Sequence, residues 1–257
     1  MVTQVPDGAA TVSGDTVVAI GDVHGTVRLL DAMLDALDAW EPEAPLVFLG
    51  DLVDRGPDAR GAIERAMRAT ARRTGSRLLL GNHEDFMLRA VAGDDEAMEL
   101  WLPQGGAETL RSFGVDPHGS WTAIRDAMRA KHGEVIEVVR AWPRMAWGEG
   151  AAEGHAFAHA GIDPHAPLDD QDERDLIWMR QPFLDWPHAL ERRIVHGHTI
   201  EGRRPVLRDH RIGIDTGAYD TGVLTALVLK VGDEPRFLAT RSEGDRIVVG
   251  EARPRAA

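Results

Sequence analysis

Six short apolar runs, each ending in a glycine-containing turn, narrow what this chain can fold into. "TVVAI" ends at Gly21, "PLVFL" at Gly50, "RLLL" at Gly81, "HAFAHA" at Gly161 and "RIVH" at Gly197, while "RIGID" runs into Thr216 and Gly217. Runs this short and this rich in Val, Ile and Leu read as buried strands, and the turns deliver loops to one edge of a sheet. After the first run, Val27, Leu30, Leu34 and Leu37 recur at spacings of three and four, which gives a helix one apolar face. A second helix is predicted over 58–73. The βαβαβ opening implies a layered α/β domain whose first strands are parallel.

From 84 to about 144 the pattern changes. "DDEAMELWL", "GGAETLRSF", "SWTAIRDAMRAKHG" and "EVIEVVRAW" read as short helices, with Ser120 as an N-cap. The sheet resumes near Met145, so this stretch reads as a helical insert at about 85–144. "GVLTALVLKV", "EPRFLATR" and "DRIVVGEA" then read as antiparallel strands. No repeat, heptad or linker divides the chain, and one domain over 1–257 is expected.

The polar residues at the strand ends carry the chemistry. They are Asp22 and His24 in "GDVHG", Asp51, Asp54 and Arg55 in "GDLVDRG", and Asn82, His83 and Glu84 in "GNHE". Farther on stand His159 in "FAHAG" and both His196 and His198 in "VHGHT". Burying such groups is costly unless they are paired or hold a metal. The chain has no cysteine, which excludes disulfides, thiolate catalysis and Cys-based metal sites. An oxygen and nitrogen donor set suits divalent manganese, iron or zinc. One carboxylate can bridge two such ions about 3.5–4 Å apart, and the pair can clamp both oxygens of an in-line phosphoryl displacement. The net charge of −13 repels nucleic-acid duplexes and anionic membranes, so a phosphate group would need a local cationic pocket.

These motifs, in this order, resemble those of the calcineurin-like metallophosphoesterases and, within them, the phosphoprotein phosphatase family, with the likeness running over about 19–225. The resemblance implies a four-layer αββα sandwich of two mixed β-sheets flanked by helices. It implies that Asp22, His24 and Asp51 hold one metal, and that Asp51 bridges to a second held by Asn82, His159 and His198. His83 would be the general acid, oriented by Asp54, while Arg55 and Arg180 (in "LIWMRQPF") would grip phosphate oxygens. Manganese is the expected metal, with iron and zinc as alternatives. The implied reaction is direct in-line attack by metal-bound hydroxide, without a phosphoenzyme.

Ile200 stands where the phosphodiesterase and nuclease branches carry a further histidine, which favours the phosphatase branch. "FAHAG" and "IDTGAYDTG" resemble its bacterial members, which include lambda-type protein phosphatases and symmetrical diadenosine tetraphosphatases. The expected substrate is a protein phosphoserine or phosphothreonine, extending to phosphotyrosine, and the alternative is diadenosine tetraphosphate. A third reading is a metal-bound scaffold without catalysis, against which His83, Asp54 and Asp51 are all present.

Other residues have plainer readings. Glu84 reads as a first-turn helix carboxylate, and His196 as a support or substrate-side residue rather than a ligand. His155, His165, His188 and His210 read as surface or turn residues, and His118 and His132 fall in the insert. The seven tryptophans read mainly as core and rim packing, with one available to stack on a nucleobase. "MVTQVPDGAATVSGD" lacks the basic start and apolar stretch of a secretory signal, and no run is long enough to span a membrane. A cytoplasmic location is expected.

Overall fold

A computed structural model describes residues 5, 6 and 8–255. The expectations for the first fifteen residues and for a domain reaching 1–257 lie partly outside the described residues.

The chain opens with strands β1 (Thr11–Val12) and β2 (Thr16–Ile20), helix α1 (Val27–Trp40), strand β3 (Leu46–Phe48), helix α2 (Ala59–Ala71) and strand β4 (Arg77–Leu78). Four helices follow: α3 (Asn82–Ala92), α4 (Asp95–Trp101), α5 (Gly106–Ser112) and α6 (Trp121–Arg140). Next come β5 (Met145–Gly148), β6 (His155–Ala158), α7 (Glu173–Trp178), β7 (Arg193–His196), β8 (Val206–Leu207) and β9 (Arg211–Gly213). The chain ends in α8 (Ala218–Thr221), β10 (Thr225–Lys230), β11 (Arg236–Glu243) and β12 (Arg246–Ala252).

The strands form two mixed sheets in the orders β12-β11-β10-β2-β3-β4 and β1-β5-β6-β7-β9-β8. Strands β2, β3 and β4 are mutually parallel, as are β6, β7 and β9. The final three strands are antiparallel, as expected. Strand alternation explains why the central runs are apolar throughout. Val17 and Ala19 enter a core between the sheets with Val47, Phe157, Val195 and Leu227. Val18 and Ile20 enter the opposite core with Leu30, Met33 and Ile63 of the first two helices. Trp147, Ala156 and Ile194 pack outward against Leu176, Ile177 and Phe183. The result is the expected four-layer sandwich, in which each buried Val, Leu, Ile or Phe contributes roughly 1.5–3 kcal/mol.

"SWTAIRDAMRAKHG" and "EVIEVVRAW" form the two expected helical segments, joined as α6 across a kink at His132, where φ is −134°. Nε2–H of His132 donates to the Phe113 carbonyl at 2.8 Å, and the low helix propensity of Gly133 beside it permits the distortion. The helical stretch begins earlier than expected, at Asn82, so α3 carries Asn82, His83 and Glu84 in its first turn. The strand ends after β2, β3 and β4 in one sheet meet those after β6, β7 and β9 in the other, and the candidate residues stand along that junction.

Candidate active site

Among the described residues, the non-glycine residues with positive φ are His24 (46°), Asp51 (50°), Asp54 (70°), Arg55 (65°) and His198 (61°). Each left-handed backbone costs about 1–2 kcal/mol for an L-residue. All five are candidate site residues, so the strain is concentrated where the strand-end loops turn their side chains inward.

Asp51 lies at the centre. Its Oδ2 is 3.6 Å from Nε2 of His24, 3.4 Å from Nε2 of His159 and 4.0 Å from Nε2 of His83. Asn82 Oδ1 lies 2.8 Å from Nε2 of His159 and 2.9 Å from Nδ1 of His198. Asp22 accepts the His198 backbone N–H on Oδ2 at 3.0 Å. That approach requires glycine at 197, because a Cβ there would stand 1.9 Å from Asp22 Oδ1.

The donor chemistry fits divalent cations. His24 and His159 each donate Nδ1–H to a backbone carbonyl, of Val53 at 2.7 Å and Leu49 at 2.9 Å. In the neutral ring this leaves the Nε2 lone pair aimed inward at other acceptors, an arrangement that is repulsive unless a cation or an extra proton lies between them. Asp22 Oδ1 and His198 Nε2 are buried without hydrogen-bond partners. His24, Asp51 and His83 form one potential ligand group, and Asp51, His159 and His198 form another, with Asp51 common to both.

The protonation balance carries the same signature. Burial, reinforced by Asp215, raises the Asp22 carboxyl well above its ordinary range. Burial opposes charge on His159, yet the Asp51, Asp22 and Glu84 carboxylates together raise it to about 10. Burial and the neighbouring His159 push His198 down to about 2. Clustered carboxylates and imidazoles of this kind are balanced either by protons taken up from solvent or by bound cations.

Beside this cluster, Nδ1 of His83 lies 2.5 Å from Oδ2 of Asp54. Burial opposes protonation of His83, but Asp51 and the Asp54 hydrogen bond raise its pKa. Arg55 donates to the Tyr219 hydroxyl at 2.8 Å, stacks 4.7 Å from that ring and lies 3.2 Å from Nε2 of His83. Arg180 donates to Thr199 Oγ1 at 3.2 Å. Both guanidiniums line a cavity of about 260 Å³ with His24, Asp51, Asn82, His83 and His198. Larger hollows of about 620 and 670 Å³ lie elsewhere, so convergent chemistry rather than size marks this site.

Sequence reasoning missed several groups here. Asp215, Tyr219, Gln104 and Trp178 also line the cavity. Asp215 ends "RIGID", so the strand-end rule that found the other residues could have found it. Burial, with Asp51 nearby, pushes its carboxyl up to about 6. Glu84 does more than sit in a first helical turn: its carboxylate accepts N–H bonds from Asp51, Leu52, Val53 and Gly81. It thereby holds the Asp51 loop against α3.

His196 is fully buried, and both of its ring nitrogens are used. Nδ1–H donates to the Gly197 carbonyl at 3.0 Å, and Nε2 accepts from Arg211 at 3.2 Å. It supports the site from behind. His210 is buried rather than superficial, donating to the Phe183 carbonyl at 3.1 Å.

A two-sheet α/β sandwich whose strand ends gather buried carboxylates and imidazoles around one shared aspartate defines a metallophosphoesterase class of site. The chain belongs to the calcineurin-like phosphoesterase family, whose profile matches residues 16–215. It is 35% identical over 150 residues to a symmetrical bis(5'-nucleosyl)-tetraphosphatase of Janthinobacterium sp. (strain Marseille). That match takes in 58% of this chain but only 44% of the Janthinobacterium protein. It is 28% identical over 214 residues to serine/threonine-protein phosphatase 1 of Salmonella typhimurium (strain LT2), covering 80% of this chain and 88% of that one. A solved structure provisionally described as a diadenosine tetraphosphatase superposes with a TM-score of 0.61 at 21% identity, covering 95% of this chain and 98% of that one. That last likeness bears on the fold. Among the described residues, no helix is long and apolar enough to cross a membrane.

Proposed function

We propose that this protein is a divalent-metal-dependent phosphoester hydrolase acting foremost on phosphoserine and phosphothreonine in proteins, with phosphotyrosine as a further substrate. The observation that carries the hydrolase reading is Asp51 Oδ2, within 4.0 Å of three imidazole nitrogens and next to a His–Asp pair. Asp22, His24 and Asp51 would hold one cation, and Asp51, Asn82, His159 and His198 a second. Two such ions, with manganese our first choice over iron or zinc, would supply Lewis acidity and lower the pKa of water near neutral pH.

The chain's own groups do the rest. Arg55 and Arg180 bind the non-bridging phosphate oxygens, for which a planar guanidinium fork is suited. A water that has already released one proton to solvent would attack as hydroxide, forming a new bond to phosphorus as the ester P–O bond breaks and its electron pair moves onto the leaving oxygen. Nε2 of His83 accepts from Arg55 in the structure. Once Arg55 turns to the phosphate and the ring takes up a second proton, His83 gives the leaving oxygen the proton on Nε2, while Asp54 fixes the ring through Nδ1. Arg55 lies 3.2 Å from Nε2 of His83, so a phosphate held by this arginine sits within reach of the proton donor.

The serine/threonine reading is supported by this proton donor. An alkoxide leaves poorly without a proton, whereas the leaving oxygen of a phosphate anhydride is already a weak base. A second reading, cleavage of dinucleoside tetraphosphates, is supported by the name of the Janthinobacterium relative. The test compares kcat/KM for a phosphoserine peptide and for diadenosine tetraphosphate with manganese present, using Asp51→Asn as the background. A preference for the peptide is expected. A preference for the dinucleotide would transfer the assignment to the second reading, and rates no higher than the control for both would leave only a scaffold.

A further inference from the structure

Asp54 is reached from the helical stretch as well as from His83. Trp101, the last residue of α4, donates Nε1–H to both carboxylate oxygens, 2.9 Å to Oδ1 and 3.0 Å to Oδ2. Thr109 of α5 donates its hydroxyl to Oδ1 at 2.6 Å and accepts the Asp54 backbone N–H at 2.8 Å, so side chain and backbone are held by one group. Trp101, Thr109 and Asp54 are all completely buried. The approach is built in where α4 gives way to α5. A Cβ on Gly105 would lie 2.4 Å from Arg55 N and 2.7 Å from Asp54 Cβ, and one on Gly106 would lie 2.5 Å from the Trp101 ring.

A buried carboxylate requires donors, and these hold it at both ends: Trp101 reaches Oδ2, the oxygen that faces Nδ1 of His83, while Thr109 anchors Oδ1, so the carboxylate cannot rotate away from the ring. The ring's opposite nitrogen then faces the cavity. We infer that Trp101 and Thr109 are positioning residues for the proton donor, and that α4 and α5 are thereby part of the reaction machinery rather than an appended surface. This rests on the assignment of His83 as general acid.

A proton donor matters most when the leaving oxygen is basic, which separates positioning from mere support. The experiment measures kcat and KM with manganese for phenyl phosphate and dinitrophenyl phosphate, whose leaving groups are strong and weak bases. It uses wild type, Trp101→Phe, Thr109→Val, Thr109→Ser and His83→Gln, each checked for a native melting transition.

His83→Gln is expected to lose far more on phenyl phosphate than on dinitrophenyl phosphate. Trp101→Phe and Thr109→Val should show the same slope in smaller measure, roughly tenfold on phenyl phosphate and under about threefold on dinitrophenyl phosphate, with KM unchanged. Thr109→Ser, which keeps the hydroxyl, should retain wild-type rates. Equal losses on both esters, or none, for Trp101→Phe and Thr109→Val while His83→Gln keeps its slope would overturn the inference. Equal losses for His83→Gln would instead remove the acid assignment, and this inference with it. Should Trp101→Phe fail to fold, the Val and Ser variants at 109 decide the question.

Discussion

Glu84 remains buried beside Asp51 because its oxygens accept four backbone N–H groups, and none of those four leaves a mark in the sequence. Asp22, His24, Asp51, Asn82, His83, His159 and His198, which the structure gathers together, could be singled out because carboxylate, amide and imidazole side chains there follow apolar runs. Trp101 and Thr109 could not, since they lie 47 and 55 residues from Asp54 and meet it only through the fold. His196 could be weighed but not decided, because two residues of strand spacing put it on the same face as His198 without saying what its ring would touch.

The His196 environment has a measurable consequence. Burial and the Arg211 guanidinium push this imidazole down to about 3. The folded-state pKa therefore lies below the ordinary value of about 6.5, so the stability it preserves is fully present above pH 6.5. That stability is lost as pH falls from about 6.5 towards 3, by up to about 1.4 kcal/mol per pH unit, because the unfolded chain takes up a proton that the folded chain refuses. In urea titrations between pH 7 and 5, His196→Asn should have a shallower pH slope than wild type, whatever its absolute stability. Identical slopes would mean that His196 is not held neutral.

Among the elements, those with a long period were readable and those without one were not. Helix α1 buries Leu29, Leu30, Met33, Leu34 and Leu37, close to the stripe read from spacing alone. Helix α2 is capped by Asp58, whose side chain accepts the Gly61 N–H at 2.8 Å. The two-residue strands β1 and β8 have no period to detect and exist because neighbouring strands supply their partners. Nor could alternation reveal that the strands divide between two sheets, since a strand covered on both faces is apolar everywhere. Phe157 of β6 fills the core between the sheets with no exposure. Phe157→Ala should cost about 3–5 kcal/mol by urea unfolding, through lost burial and the cavity left behind. Trp40→Ala, at the half-exposed end of α1, should cost under about 0.5 kcal/mol. Comparable losses would mean that the sheet interface is not the close-packed core described.

For the molecule as a whole, the sandwich supplies rigid strands and the junction of its two sheets supplies the site. Each sheet brings loops that the other lacks: Asp22, His24, Asp51, Asn82 and His83 come from one, and His159 and His198 from the other. Ligand binding across that junction should therefore be coupled to the integrity of both sheets. The net charge of −13 adds to this, because the cluster's buried carboxylates gain most from a bound cation. The family's layered architecture was legible through its motifs, whereas substrate choice was not. Gln104, Trp178 and Tyr219, which line the cavity beside the charged groups, are scattered residues whose types recur in ordinary packing.

The central claim is a pair of cations sharing Asp51, and metal content per chain tests it most directly. Wild-type protein stripped with chelator, reloaded with manganese and desalted should carry two ions per chain, magnetically coupled in its electron paramagnetic resonance spectrum. Asp51→Asn should carry one or none and lose the coupling. One ion in the wild type, or two coupled ions retained by Asp51→Asn, would contradict the account.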